Sequence, residues 1–345
     1  MQYKQIIILT PCFVHFRLRT LFYIVSGITT RFIVYSLSDF SMDIVAELKK
    51  GNRRAIARAI SIVENNEKEA KLIIKKIFKN SGKSMKIGIT GPAGAGKSTL
   101  INRTSIELNK LGYKTAVLAI DPTSHITGGA ILGDRVRMTE STDSGTYIRS
   151  MASRGATGAI SLSLRNSIRI LEYAGFDPII IESVGAGQTE VDIEKVVDIT
   201  VVVFNPNTGD NIQTIKAGLT EIGDVYLINK SDLPGSNQLF DSVRDFIGMS
   251  EKNPVVMLTS AKSNKGVTDF ARKLEELMKT RKKTKVKEEE SRLDSELRDI
   301  VLNNVKSKVS TMLDSSKSYA SYLKKVQSKK IDPFEAADKI SKGLM

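Results

Sequence analysis

Of the 345 residues, Cys12 is the single cysteine, none is tryptophan, and His15 and His125 are the two histidines. One thiol builds neither an internal disulfide framework nor a four-cysteine metal site, and two distant histidines make no metal-binding tract. A chain this poor in thiols suits a reducing cytoplasm. Long apolar runs are scarce as well. The best, from Leu21 to Leu37, is broken by Arg31 and is marginal against the ~20 apolar residues that cross a bilayer. No small-residue cleavage site follows a clean apolar stretch, so a secretory leader fits poorly. We therefore expect no membrane partner. Residues 1–41 nonetheless differ from all that follows, because organised patterning begins at Met42. We read them as an extension ahead of a natural start at Met42. Aromatics do not interleave with the basic clusters, and no nucleic-acid fingerprint appears. The formal net charge of +14 is thus expected to reflect a Lys-rich solvated surface rather than a nucleic-acid partner.

What is present is concentrated first in Lys86–Leu100, KIGITGPAGAGKSTL. Ile87, Ile89 and Thr90 read as a buried strand. Gly91, Pro92, Ala93, Gly94, Ala95, Gly96, Lys97 and Ser98 then fit G-x-x-x-x-G-K-[ST] at every fixed position. Glycines let successive backbone N–H groups turn inward around phosphate oxygens, where a Cβ would block them. Lys97 can reach the β- and γ-phosphates, and Ser98 can offer its hydroxyl to Mg²⁺. Thr99 sits in the first turn of the helix expected from Ser98 to about Lys110, whose positive end points at the anion. The stretch reads as a nucleoside triphosphate site.

Around it the chain alternates. A helical preface over residues 42–82 is broken at Gly51-Asn52 and ends near Gly82. Strands are expected at Thr115–Ile120, Tyr147–Met151, Pro178–Ile181, Ile199–Phe204, Val225–Ile228 and Val255–Leu258, with helices between most of them. That pattern implies an α/β fold, a mostly parallel sheet flanked by helices, over residues 83–280. Residues 281–345 read as a charged helical arm. Its stripe of Leu293, Leu297, Ile300, Val301, Val305, Val309 and Leu313 must be buried in its own domain or in a second copy.

Ligand sites in such sheets lie beyond the carboxyl ends of the strands, and the remaining signals fall there. Asn229-Lys230-Ser231-Asp232 follows the strand at Val225–Ile228 and reads N-K-x-D. A carboxylate at Asp232 can accept from guanine N1–H and the exocyclic amine together. Adenine lacks that donor pair, which would leave a buried carboxylate unpaired. Asn229 can contact O6 or N7, and the Lys230 stem can lie against the base. Ser260-Ala261-Lys262 follows the next strand and can supply a backbone N–H near the guanine carbonyl. Asp121 and Glu182 close strands, and Asp134 lies in a loop. Such hard oxygen donors suit Mg²⁺ and the γ-phosphate. The magnesium ligands expected are Ser98, Asp121, Asp134 and Glu182, and the catalytic groups Lys97, Glu182 and Asp134. Asp210, Gln213 and Lys216 recur at spacing three in residues 208–216, on one face if a helix starts near Gly209.

In these residues the chain from Met42 onward resembles the MeaB/ArgK family of GTPases. The matching segments are GPAGAGKST, DPTS with TGGAILGDRVRM, RSMASRG, ESVGAGQTE, TGDNIQTIKAG, NKSD and DPFEAAD. The resemblance implies a P-loop NTPase fold, GTP as substrate and GDP as product, and a homodimer joined by the C-terminal arm. It implies Mg²⁺ held by Asp121, Asp134 and Glu182, with residues 208–216 as an additional switch. It also implies a chaperone that gates cobalamin loading and protects an adenosylcobalamin-dependent methylmalonyl-CoA mutase. His125, Ala156 and Asn211 depart from the family's commoner residues. A nickel-insertion metallochaperone would call for Cys/His clusters. A transport ATPase or kinase is disfavoured by N-K-x-D and by the lack of kinase signatures.

Overall fold

The computed structural model describes residues 20–25, 28–33, 44–121, 139–152, 162–183, 193–207, 222–247, 254–283 and 285–342. Its contacts divide the chain into two compact units, Met1–Glu275 and Glu276–Met345. Near the start of the first unit, β1 (Thr20–Val25) and β2 (Ile28–Ile33) pair antiparallel. The helical preface follows as α1 (Arg53–Asn65) and α2 (Glu67–Ile77). The Asn52 side chain accepts from the N–H groups of Arg54 and Ala55 and so starts α1. Asn66 both ends α1 and caps α2 through the Glu69 N–H. Such a cap contributes about 1 kcal/mol.

The alternation then runs β3 (Lys86–Thr90), α3 (Lys97–Lys110), β4 (Ala116–Asp121), α4 (Thr139–Asp143), β5 (Tyr147–Ala152) and α5 (Leu162–Tyr173). It continues through β6 (Ile179–Glu182), β7 (Ile199–Phe204), β8 (Val225–Ile228), α6 (Ser236–Ile247), β9 (Val255–Leu258) and α7 (Val267–Arg281). The seven strands β3–β9 form one sheet in the order β5-β4-β6-β3-β7-β8-β9, every neighbouring pair parallel. β3 is central and fully buried, as its near-continuous apolar character requires. Its amino end is locked to β7: the Lys86 N–H donates to Asp198 Oδ2 (2.8 Å) and the Asp198 N–H to the Lys86 carbonyl (2.7 Å). That lock aligns the two carboxyl ends where the next segments begin.

One face of the sheet is covered by the preface. Ile56, Ala59, Ile60 and Val63 of α1 and Ile73 and Ile77 of α2 share a core with Ile168 and Leu171 of α5, Leu118 of β4 and Ile181 of β6. Burying each such Ile or Leu contributes about 1.5–3 kcal/mol. Arg149 of β5 reaches back to α1, donating to Ser61 Oγ and Glu64 Oε2, both at 3.0 Å. Near β8 a second core joins Phe204, Tyr226, Val243 and Ile247, and the rings of Phe204 and Tyr226 lie 6.5 Å apart and nearly parallel.

The second unit holds α8 (Lys285–Ser315), α9 (Lys317–Gln327) and α10 (Pro333–Lys342). Along α8 the expected stripe is largely open: Leu297 is 62%, Val301 51% and Val305 53% exposed. No helix among the described residues is long and apolar enough to cross a membrane.

Candidate functional site

Gly91 to Gly96 turn the chain from the end of β3 into the start of α3. Two positions demand glycine outright. Gly91 has φ +137°, and a Cβ there would lie 2.1 Å from the Val203 carbonyl oxygen of β7. Gly96 caps α3 in the left-handed conformation, and its Cβ would lie 2.5 Å from Asn229 Nδ2. Lys97 is buried, with Nζ donating to the carbonyls of Gly91 (2.6 Å) and Pro92 (3.1 Å). The ammonium is thereby held inside the curve of the loop, where a phosphate chain would meet it. The Ala95 N–H also points into the loop, 3.2 Å from the Pro92 carbonyl.

Ser98 Oγ donates to Glu182 Oε1 at 2.7 Å, across the gap between the start of α3 and the end of β6. Glu182 is itself buried, and the next hydroxyl, Ser183 Oγ, donates to Thr90 Oγ1 at 2.8 Å. Two of the four expected magnesium ligands are therefore in contact beside the loop. Both are hard oxygens, the donor type that Mg²⁺ takes. Of Asp121 the backbone alone is described, as the last residue of β4. Asp134, Asp210, Gln213 and Lys216 lie outside the described residues.

The segments expected to read the base meet the glycine-rich loop from the β8–β9 side. Asn229 is 1% exposed and works as a clasp. Its Nδ2 donates to the Ala95 carbonyl (2.9 Å), and its Oδ1 accepts from the Ala261 N–H (3.1 Å) and Thr259 Oγ1 (3.4 Å). The Ala261 N–H, one of those expected near the guanine carbonyl, is thus turned onto Asn229. Lys230 has φ +57°, uncommon for a residue with a side chain, and its Nζ donates to the Gly94 carbonyl at 2.7 Å. Asp232 is exposed and accepts from Ser260 Oγ at 2.5 Å. That hydroxyl, then Asp232's own backbone N–H and the nearby Lys262 and Lys230 ammoniums, holds the carboxyl below the usual carboxylate range. It is ionised at neutral pH, as an acceptor of two N–H groups must be. Lys262 and Thr99 complete the two segments, Thr99 in the first turn of α3.

Asn205 is a contact the sequence pattern did not single out. It follows β7 and sends Nδ2 to the Gly94 carbonyl at 3.4 Å. Its signal was available: a polar residue directly after a buried strand at the carboxyl edge, the same placement as Asn229 after β8.

Two loops are held together at this edge, a glycine-rich one that encloses the Lys97 ammonium and one that carries the ionised Asp232 carboxylate. The family model described as methylmalonyl Co-A mutase-associated GTPase MeaB matches residues 56–314. The chain belongs to the MeaB family. It is a GTPase that binds guanine nucleotide, as the names of its relatives agree. A relative named as a GTPase in Pyrococcus abyssi is 41% identical over 313 residues, spanning 88% of this chain and 96% of that one. GTPase ArgK of Escherichia coli is 32% identical over 241 residues, 66% of this chain and 72% of that one. The mouse mitochondrial methylmalonic aciduria type A homolog is 34% identical over 246 residues, 65% of this chain and 59% of its own length. Among solved structures, one described as an LAO/AO transport system kinase superposes with a TM-score of 0.64 at 21% identity, covering 88% of this chain and 97% of that one. At that identity the likeness supports the P-loop NTPase fold alone.

Proposed function

We propose that this MeaB-family GTPase is a chaperone for an adenosylcobalamin-dependent methylmalonyl-CoA mutase, coupling GTP hydrolysis to cobalamin loading and protection. The observation that carries this reading is the match of residues 56–314 to a family described as mutase-associated. In hydrolysis a water oxygen bonds to the γ-phosphorus as the β–γ bridging bond breaks, leaving GDP and phosphate. Lys97, held inside the loop, offsets charge that grows on the phosphoryl oxygens, and the start of α3 adds its positive end. Asp232, ionised and aimed by Ser260, selects guanine. Ser98, Glu182, Asp121 and Asp134 would hold Mg²⁺, which would neutralise the β- and γ-oxygens. Glu182, in contact with Ser98 at the end of β6, links that cluster to the central sheet.

Two further parts belong to the same reading. Residues 208–216 act as the switch that senses the mutase, through Asp210, Gln213 and Lys216. The open stripe of Leu297, Val301 and Val305 on α8 is covered by a second copy, giving a homodimer. An arm with these side chains 51–62% exposed gains by burying them.

The test is a GTPase assay with and without purified methylmalonyl-CoA mutase, together with co-purification in GDP and in a non-hydrolysable GTP analogue. Faster hydrolysis with the mutase present and a nucleotide-dependent complex are expected. No complex in either nucleotide state and an unchanged rate would refute the proposal.

A further inference from the structure

We propose that Asn205 is a positioning residue for the GTPase: it braces the apex of the phosphate loop against β7, and nucleotide affinity depends on that brace. Asn205 is 2% exposed directly after the buried strand β7. A buried amide in such a place must be hydrogen-bonded, and its two ends go to different segments. Nδ2 donates to the Gly94 carbonyl at 3.4 Å, while Oδ1 accepts from the Asn207 N–H at 2.9 Å. The second contact is an Asx turn that holds the side chain in one orientation. The first reaches the tip of the loop, where the Gly94 side-chain direction is open, a Cβ there meeting nothing within 4 Å, and the contact is made to the backbone carbonyl instead.

The same carbonyl also accepts from Lys230 Nζ at 2.7 Å, and the next carbonyl, of Ala95, accepts from Asn229 Nδ2 at 2.9 Å. The loop apex is therefore gripped from the strand side by three polar side chains, from the ends of β7 and β8. In a trans peptide the N–H points opposite to the carbonyl. Holding the Gly94 carbonyl toward the strands keeps the Ala95 N–H turned onto the Pro92 carbonyl across the loop (3.2 Å), and holding the Ala95 carbonyl directs the Gly96 N–H into the loop, where phosphate oxygens bind. β7 also meets the other end of the loop, since the Val203 carbonyl closes on Gly91. One strand thus fixes the base of the loop by contact and its tip by Asn205. Lys230 is long and flexible, whereas Asn205 is short and clamped, so Asn205 supplies the rigid half of the grip.

The brace acts on binding rather than on the chemical step, which separates it from Lys97. Two variants of the full chain test it, with dissociation of fluorescent GDP and GTP measured by stopped flow. Asn205→Asp keeps the acceptor for the Asn207 N–H but sets a charged acceptor against the Gly94 carbonyl. Asn205→Ser keeps a hydroxyl to accept from Asn207 and is too short to reach Gly94, with no added charge. Both should speed dissociation of GDP and GTP, the Asp variant about tenfold and the Ser variant about threefold, the loss of one neutral hydrogen bond. The KM for GTP should rise in step, kcat at saturation should change little, and Asn205→Ser should keep its melting temperature without nucleotide, whereas the buried charge of Asn205→Asp lowers it. Unchanged dissociation in both variants would overturn the proposal. So would an effect confined to Asn205→Asp, since charge repulsion of phosphate would then explain it. A fall in melting temperature with normal dissociation would also overturn it, leaving Asn205 as a contact of the fold alone. If Asn205→Asp does not fold, Asn205→Ser decides by the same criteria.

Discussion

The phosphate loop's glycines should fail in a graded order when each is replaced by alanine, because the structure gives each new Cβ a different neighbour. Gly94→Ala meets open space at φ +76°, so it carries only the cost of a left-handed residue, about 1–2 kcal/mol. Nucleotide affinity should fall by about tenfold. Gly96→Ala adds a Cβ 2.5 Å from Asn229 Nδ2 at φ +88°. Relief requires the Asn229 amide to swing away from the Ala95 carbonyl and the Ala261 N–H. With about 1 kcal/mol for each lost bond on top of the strain, the cost is about 3–4 kcal/mol. GTP affinity should fall by about 10²–10³-fold. Gly91→Ala puts its Cβ 2.1 Å from the Val203 carbonyl, a backbone atom of a strand hydrogen-bonded on both sides. Since neither strand can retreat, this variant should lose about 3 kcal/mol or more of folding stability. Fluorescent-nucleotide titration ranks the first two, and thermal or urea melting without nucleotide isolates the third. If Gly94→Ala binds as poorly as Gly96→Ala, or Gly91→Ala melts like the native chain, the reasoning from loop geometry is wrong.

Other outcomes follow from single side chains. Lys97→Ala should abolish turnover and weaken GTP binding, since a charge-assisted contact to the transferring phosphoryl group is lost; an unchanged single-turnover rate would contradict this. Ser260→Ala removes the hydroxyl that holds the Asp232 carboxyl below its ordinary range. A lowered pKa keeps the carboxylate, and the guanine contact, present until the pH falls through that lowered value. The variant should therefore lose GTP affinity at a higher pH than the native chain, with little change near neutrality, as affinity measured across mildly acid buffers would report. Asp210→Ala and Lys216→Ala should largely remove acceleration of hydrolysis by the mutase; full stimulation in both would send the signal through another segment.

How much of this was legible in the sequence depends on the range over which each feature is determined. The phosphate loop and N-K-x-D are read at fixed local spacing, and the structure brings them to one edge of the sheet. The strand alternation was equally local: β7, β8 and β9 have the expected bounds, and β4, β5 and β6 are displaced by a residue, so that Asp121 and Glu182 are the last residues of β4 and β6 rather than the first beyond them. What the sequence could not reveal are pairings between distant segments. Arg149 meets Glu64 across 85 positions, and Asn205 reaches Gly94 across 111. The use of Asn229 as a clasp, with the Ala261 N–H turned onto it, needs the tertiary arrangement of two strand ends. The stripe on α8 was visible from its three-and-four spacing, but periodicity says that a face is apolar, not what covers it.

Selection of guanine rests most heavily on Asp232, and one substitution tests that directly. Asp232→Asn exchanges an acceptor of two N–H groups for an amide that can donate to a 2-oxo group. Hydrolysis of GTP and of xanthosine triphosphate should be compared side by side in the native chain and in this variant. The native chain should strongly prefer GTP, and Asp232→Asn should shift the preference toward xanthosine triphosphate. A variant that still prefers GTP by the native factor would contradict the account.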